Sequence, residues 1–407
     1  MPILYYSQLY AALIVTLYYV FYWRKIPFGQ FFNPYSVKIL VTGAVVSLVV
    51  YSITVFHVAF DMIYTQDYVE QLAFLLCLLY VMPFLCEGDE STLFDRLSEI
   101  VIATLCVQAC IAVSGFVNES IAAFLIQQQD VYGAVNPGHV EIFRRYNLGA
   151  GFFSLPATYG ICFMLWMRLY VSDYRTKIFS TYGKYILFAL LLIGVILSGR
   201  TGFVGLVAAL IFLFCTKETL GSKFLFLSKV IGMLLVVVVL ASQLVSKSHL
   251  TNFQENVMPW AFEFVYKYID ENKLTTSSTE ALERMYYELP MDVWMRGTGF
   301  CMGVRDSLFK ITDAGYMLQI IYGGVFYFLL LVYFQLLFFI EPIRAAWRSR
   351  YEKEKNDVFF WVILLIHLFV LHYKGEVIGY NHIIQCVLFV LGYVYLEDKR
   401  LNLCLQL

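Results

Sequence analysis

Residues 185–216 read YILFALLLIGVILSGRTGFVGLVAALIFLFCT. Arg200 is the lone charge in this run, set between Gly199 and Thr201-Gly202. A bilayer span needs about 20 mostly apolar residues. The run is too long for one span and short for two, and its glycines allow a sharp reversal. It reads as two short spans joined by a tight turn at the membrane surface. A charge in such a stretch is costly in lipid and marks a candidate functional site; the plain alternative is a turn residue facing headgroups.

The same apolar pattern recurs outward in both directions. Further runs lie near 4–23, 39–60, 71–87, 99–117, 150–171, 224–245, 312–340, 358–373 and 381–396. The 407 residues are 60% hydrophobic, 18% aromatic and 14% charged. Soluble domains carry roughly a quarter charged residues, so an ordinary cytoplasmic enzyme is excluded. Disorder is excluded by the same hydrophobicity. A formal charge of −1 speaks against a polybasic nucleic-acid binder. The expected fold is an all-α polytopic membrane protein with about eleven transmembrane helices. Three parts are expected: a first bundle segment over 1–245, a large outer-loop subdomain over 246–311, and a C-terminal bundle segment over 312–407.

The nine cysteines are scattered without a CxxC pair, so they read as packing residues rather than a disulfide or zinc framework. The run 4–23 lacks a basic leader and a small-x-small cleavage site, and reads as a retained span. Basic residues crowd alternate short loops: Arg24-Lys25, Arg175, Lys177, Lys184, then Arg344, Arg348, Arg350, Lys353 and Lys355. The opposite short loops hold only Arg144, Arg145, Arg200 and Lys374. The Lys/Arg bias therefore places the N-terminus outside and the C-terminus inside. Two outside loops are large, near 118–149 and 246–311. Within the second, Glu280–Pro290 reads as an amphipathic helix that stops at the proline.

Four outer-face constellations carry chemistry. Arg144-Arg145-Tyr146-Asn147-Leu148-Gly149-Ala150-Gly151 opens a span; paired guanidinium groups can fork onto phosphate, and glycines expose backbone N–H groups. Its alternative is an interfacial anchor. Ser198–Gly202 is the second. The third joins Arg296-Gly297-Thr298-Gly299-Phe300 to Thr312-Asp313-Ala314-Gly315-Tyr316 and Tyr322-Gly323-Gly324. There Asp313 reads equally as a general base or as a first-turn carboxylate on a helix. The fourth is the loop 372–382, where His372, Lys374, Glu376 and His382 can hydrogen-bond a polyhydroxylated ligand, or simply form an interfacial loop. No HExxH or Asp-x-Asp suggests a metal, and no phosphate-loop or dinucleotide fingerprint suggests a nucleotide. His57 and His367 read as packing residues.

On these segments the chain resembles the bacterial Wzy-type O-antigen and capsule polymerases, distant relatives of the O-antigen ligases. The resemblance rests on Leu197–Gly202, Gly297–Phe300, Thr312–Tyr316, Tyr322–Gly324, Arg144-Arg145 and Lys374-Gly375. It implies a GT-C-like glycosyltransferase in the bacterial inner membrane, with the long loop and N-terminus periplasmic. Its substrates would be undecaprenyl-diphosphate-linked repeat units, polymerised into O-antigen or capsule with undecaprenyl diphosphate leaving. No cofactor or metal is implied, so Arg144, Arg145, Arg200 and Arg296 would neutralise the diphosphate. A flippase and a chain-length regulator are the expected partners, besides the bilayer, and no nucleic acid.

Two features depart from the family. Related ligases carry a histidine-asparagine pair where this chain has Thr312-Asp313. The polymerase pattern of an arginine followed eleven residues later by glycine is absent, because Leu155, Pro156 and Ile211 stand at that distance from Arg144, Arg145 and Arg200. The rival readings are an O-antigen ligase and a lipid-linked oligosaccharide flippase or other transporter. The transporter predicts mid-span charges, broken helices and repeat symmetry.

Overall fold

Asn33 and Pro34 show how the spans begin. The Asn33 side chain accepts from the Ser36 amide at 2.8 Å, satisfying a donor that the first helical turn leaves open. Pro34 lacks the N–H that would be unpaired there. The helix that follows runs 23 residues to Phe56 before His57 closes it.

The computed structural model describes residues 7–21, 33–59, 62–85, 93–131, 142–148, 153–216, 219–244, 251, 253–273, 275–300, 312–349 and 352–404. The helices are α1 (Ser7–Phe21), α2 (Pro34–Phe56), α3 (Ile63–Leu85), α4 (Leu93–Val117), α5 (Glu119–Val131), α6 (Ser154–Val171), α7 (Gly183–Ser198), α8 (Gly202–Cys215) and α9 (Leu220–Leu244). Short helices follow: α10 (Met258–Ala261), α11 (Glu263–Glu271), α12 (Ser277–Met285) and α13 (Met291–Arg296). The chain closes with α14 (Gly315–Arg348), α15 (Glu352–His372) and α16 (His382–Cys404). No strand occurs among the described residues. Every apolar run read from the sequence falls on one of these helices. Among the described residues α2, α3, α4 and α14 are long and apolar enough to cross a bilayer, and α7 and α8 are shorter apolar helices.

The chain divides into two compact units, one of residues 1–94 with 281–407, the other of 95–280. The boundary between the units falls within the long loop, at residues 280 and 281.

In the first unit α14 packs on α2, α15 and α16, and α3 on α1, α2 and α16. Helix α14 is broken at Gly324, whose φ of 75° and ψ of −179° lie in a region open essentially to glycine alone. The break frees backbone carbonyls. Those of Ile321 and Tyr322 accept from the Thr298 amide at 2.7 and 3.2 Å, and Tyr322 also accepts from the Gly299 amide at 2.8 Å. The expected Gly297–Phe300 and Tyr322–Gly324 motifs are therefore two halves of one interlock. The expected helix over Glu280–Pro290 is shorter: α12 ends at Met285. Tyr286 leaves the helix to stack on Tyr373 at 4.6 Å and donate to its carbonyl at 2.7 Å, a tertiary contact that overrides the local pattern.

In the second unit α6 is the most enclosed element, with every residue from Tyr159 to Met167 buried. Gly205 of α8 meets Gly160 so closely that a Cβ at 205 would lie 2.1 Å from the Gly160 Cα. Small residues permit this approach, the usual device of helices that pack in lipid.

Candidate functional site

The second unit brings together the arginines singled out by sequence. The Ser198–Gly202 turn is as expected: α7 ends at Ser198, α8 begins at Gly202, and the Gly202 amide donates to the Gly199 carbonyl at 3.1 Å. Arg144 and Arg145 ride a single 3-10 turn, Ile142–Tyr146. Arg144 donates through Nε to the Ser198 carbonyl at 3.0 Å, which ties that turn to the α7 C-terminus. Asn147 reinforces the tie, donating to the Leu197 and Arg144 carbonyls at 3.3 and 3.0 Å.

Both guanidinium groups then meet one ring. The Arg144 Cζ lies 5.2 Å and the Arg200 Cζ 4.9 Å from the centroid of Trp260. Each is a cation–π contact. Arg145 is buried on the same turn. Phe143 packs edge-on against Trp260 at 5.2 Å, within a cluster that includes Leu197 and Val257.

Glu263 completes this site. Its Oε2 accepts from Arg200 Nη1 and, at 3.2 Å, from Ser277 Oγ, while Oε1 accepts from the Ser277 amide at 2.7 Å. Lys267 stands 3.7 Å from Oε1 and 3.0 Å from Glu280. Burial alone would raise the Glu263 pKa, but the hydrogen bonds from Arg200 and Ser277 outweigh it and hold the carboxyl below its usual value. Chemically, a carboxylate occupies the position on Arg200 that a phosphate oxygen would take. Trp260 and Glu263 were not singled out from sequence.

In the first unit the other candidates divide. Asp313 is exposed, and its amide donates to Met285 Sδ at 3.4 Å. It does not cap α14, whose N-cap is Ala314. The Thr312–Tyr316 segment abuts the 372–375 loop: a Cβ on Gly315 would lie 2.6 Å from both the Gly375 and His372 carbonyls. Arg296 is exposed, and its carbonyl lies 3.1 Å from His57 Nε2; the contact gives His57 a polar partner. Lys374 is half-buried, and the His382 ring lies 5.8 Å from Phe74.

The 372–382 loop is folded inward rather than open. His372 Nδ1 accepts the amides of Val377 and Ile378 at 3.0 and 3.2 Å. Gln335 Oε1 accepts the Gly379 amide at 3.0 Å and Gln385 Nε2 at 2.7 Å. Gln319 and Gln71 donate to the Ile378 and Gly379 carbonyls at 2.7 and 3.2 Å. Four glutamines thus hydrogen-bond the loop or one another in place of water.

Glu376 points from this loop into a tyrosine cluster. Tyr64 donates to its Oε2 at 2.6 Å, while Oε1 is buried without a hydrogen-bond partner. Tyr322 and Tyr380 pack edge-on against Tyr64 at 4.5 and 4.9 Å, and Tyr380 donates to Asp67. Burial pushes the Glu376 carboxyl up to about 8, opposed by the Tyr64 hydrogen bond and assisted by Asp67. Tyr64, Asp67, Tyr68 and Gln71 were missed by sequence. Their signal is spacing: positions i, i+3, i+4 and i+7 form one polar stripe on the first turns of α3.

Gly149, Gly151, Arg24, Lys25 and residues 301–311 lie outside the described residues. No family model, curated protein or solved structure matches this chain.

Proposed function

We propose that this protein is a Wzy-type polysaccharide polymerase, an inner-membrane glycosyltransferase of about eleven spans with its large loops periplasmic. The observation that carries the reading is the convergence of Arg144 and Arg200 on Trp260, with Glu263 as the present counter-charge. In the transfer, the bond between the glycan C1 and its diphosphate oxygen breaks. The electron pair leaves with undecaprenyl diphosphate, and an acceptor sugar hydroxyl bonds to C1 as it loses its proton. The leaving diphosphate needs fixed positive charge in a site of low dielectric. Arg200 and Arg144 are proposed to supply it, with Arg145 beside them, and the acceptor's proton is proposed to pass to water.

One observation favours the transporter as a second reading. Helix α14 is discontinuous at Gly324, as the helices at transporter binding sites are. Reconstitution separates the two. The purified protein in liposomes is given a lipid-diphosphate-linked repeat unit, and the products are run on a gel. A ladder of repeat multiples, lost with Arg200→Ala, supports polymerisation. Movement of substrate between leaflets with no ladder supports transport and ends the polymerase reading.

A further inference from the structure

A cavity of about 190 Å³ lies between the first turn of α2 and the distal half of α14. Helix α2 contributes Tyr35 and Lys38, and α14 contributes positions 333, 337, 340, 341 and 344. Those α14 positions recur at helical spacing and so form one stripe. They rise over about 16 Å at 1.5 Å per residue.

The stripe is graded. Tyr333 and Leu337 lie toward the middle of α14, and Ile340 follows. Glu341 and Arg344 come next, at the end of the helix where the sequence turns basic. This is the polarity order of a phospholipid: acyl chain, then glycerol region, then charged headgroup. Tyr333 is 53% exposed, and the side chains of Lys38 and Arg344 are 51% and 59% exposed, so the cavity opens outward.

The charges are specific. Lys38 Nζ and Arg344 Nη1 both contact Glu341 Oε1, at 2.7 and 3.4 Å. Two cations on one carboxylate leave a net positive charge for a phosphate. Both contacts fall on the same oxygen, and Glu341 lines the cavity, so its Oε2 is left to accept. The α2 N-terminus adds its dipole on the same side. A purely anionic headgroup would use the cations and be repelled by Glu341. A trimethylammonium has no N–H to donate to it.

We propose that this cavity is a binding site for a phospholipid whose headgroup carries both a phosphate and a primary ammonium. Lys38 and Arg344 take the phosphate, Glu341 takes the ammonium, and Leu337 and Ile340 take the upper acyl chain. The site rests on α2 and α14 crossing a bilayer, and it is independent of the polymerase reading. Sites of this kind between spans hold headgroups at the basic face of a membrane.

The test uses the full chain, purified and stripped of lipid in mild detergent. Native mass spectrometry follows titration with phosphatidylethanolamine, phosphatidylglycerol and phosphatidylcholine. Phosphatidylethanolamine is expected to bind about tenfold tighter than either, the ratio one charge-assisted hydrogen bond supports. Glu341→Gln should bring it to the phosphatidylglycerol level, and Lys38→Ala with Arg344→Ala should abolish the preference and weaken all three. Equal retention of the three lipids by the wild type overturns the proposal, and that arm needs no variant to fold. Soluble phosphoethanolamine is the last arm. If it displaces the lipid at equal concentration, the site serves a free phosphate compound and the lipid assignment fails.

Discussion

Glu263→Gln tests the arginine site most directly, because it removes a charge and keeps the shape. The glutamine oxygen can still accept the Ser277 amide, which now bonds Oε1 at 2.7 Å. Arg200 loses its counter-charge and stays against Trp260. The Arg200 and Glu263 side chains are 15% and 19% exposed. An exposed ion pair contributes about 0–1 kcal/mol, and removing one partner of a fully buried pair costs about 3–5 kcal/mol. This pair lies between those limits, and after discounting for solvent screening it is assigned about 1–2 kcal/mol. If a diphosphate must displace Glu263 from Arg200, that energy returns to the ligand. Binding should then tighten about 5- to 30-fold, at 1.4 kcal/mol per tenfold. The assay is calorimetric titration of the detergent-purified protein with farnesyl diphosphate, alongside Arg200→Ala. The double variant should bind no better than Arg200→Ala alone. Unchanged or weaker binding by a correctly folded Glu263→Gln protein would refute the displacement argument.

Three further outcomes are expected. Gly324→Ala forces a side chain into glycine-only backbone space, at a cost of about 1–3 kcal/mol before any clash. Its Cβ would also lie 2.5 Å from the Met295 carbonyl, so the purified variant should lose its monodisperse peak on size exclusion; a wild-type profile counts against the interlock. Gln335→Leu strands the Gly379 amide, with a penalty of about 1–3 kcal/mol, and should lower the thermal midpoint in detergent, whereas an unchanged midpoint would mean the glutamine clamp is dispensable. The folded Glu376 pKa lies above the ordinary 4.5, near 8, so the folded state holds an extra proton between those values. Stability should be fully present below about 4.5 and decline as pH rises through about 8. Glu376→Gln should flatten that decline in a pH series of thermal melts; an equal slope in both proteins would place the titration elsewhere.

What the sequence shows and what it conceals divide along a physical line. Lipid demands long apolar runs, so every run read from the chain lies on a helix. The same demand makes Arg200 conspicuous, since a charge between two apolar runs needs a reason. The compensating partners carry no such mark. Glu263 lies 63 residues away on a short, polar helix where a glutamate is unremarked, and Trp260 reads as one more aromatic. The α3 boundary fails for a related reason. The apolar run begins near Gln71, because Tyr64, Asp67, Tyr68 and Glu70 dilute the hydropathy, yet α3 starts at Ile63. Those polar residues are tolerated because Glu376, Tyr380 and Gly379 return from the far end of the chain to meet three of the α3 side chains, Tyr64, Asp67 and Gln71. The lone Arg200 therefore locates half of its site, and the other half, Trp260 and Glu263, lies on the short helices α10 and α11.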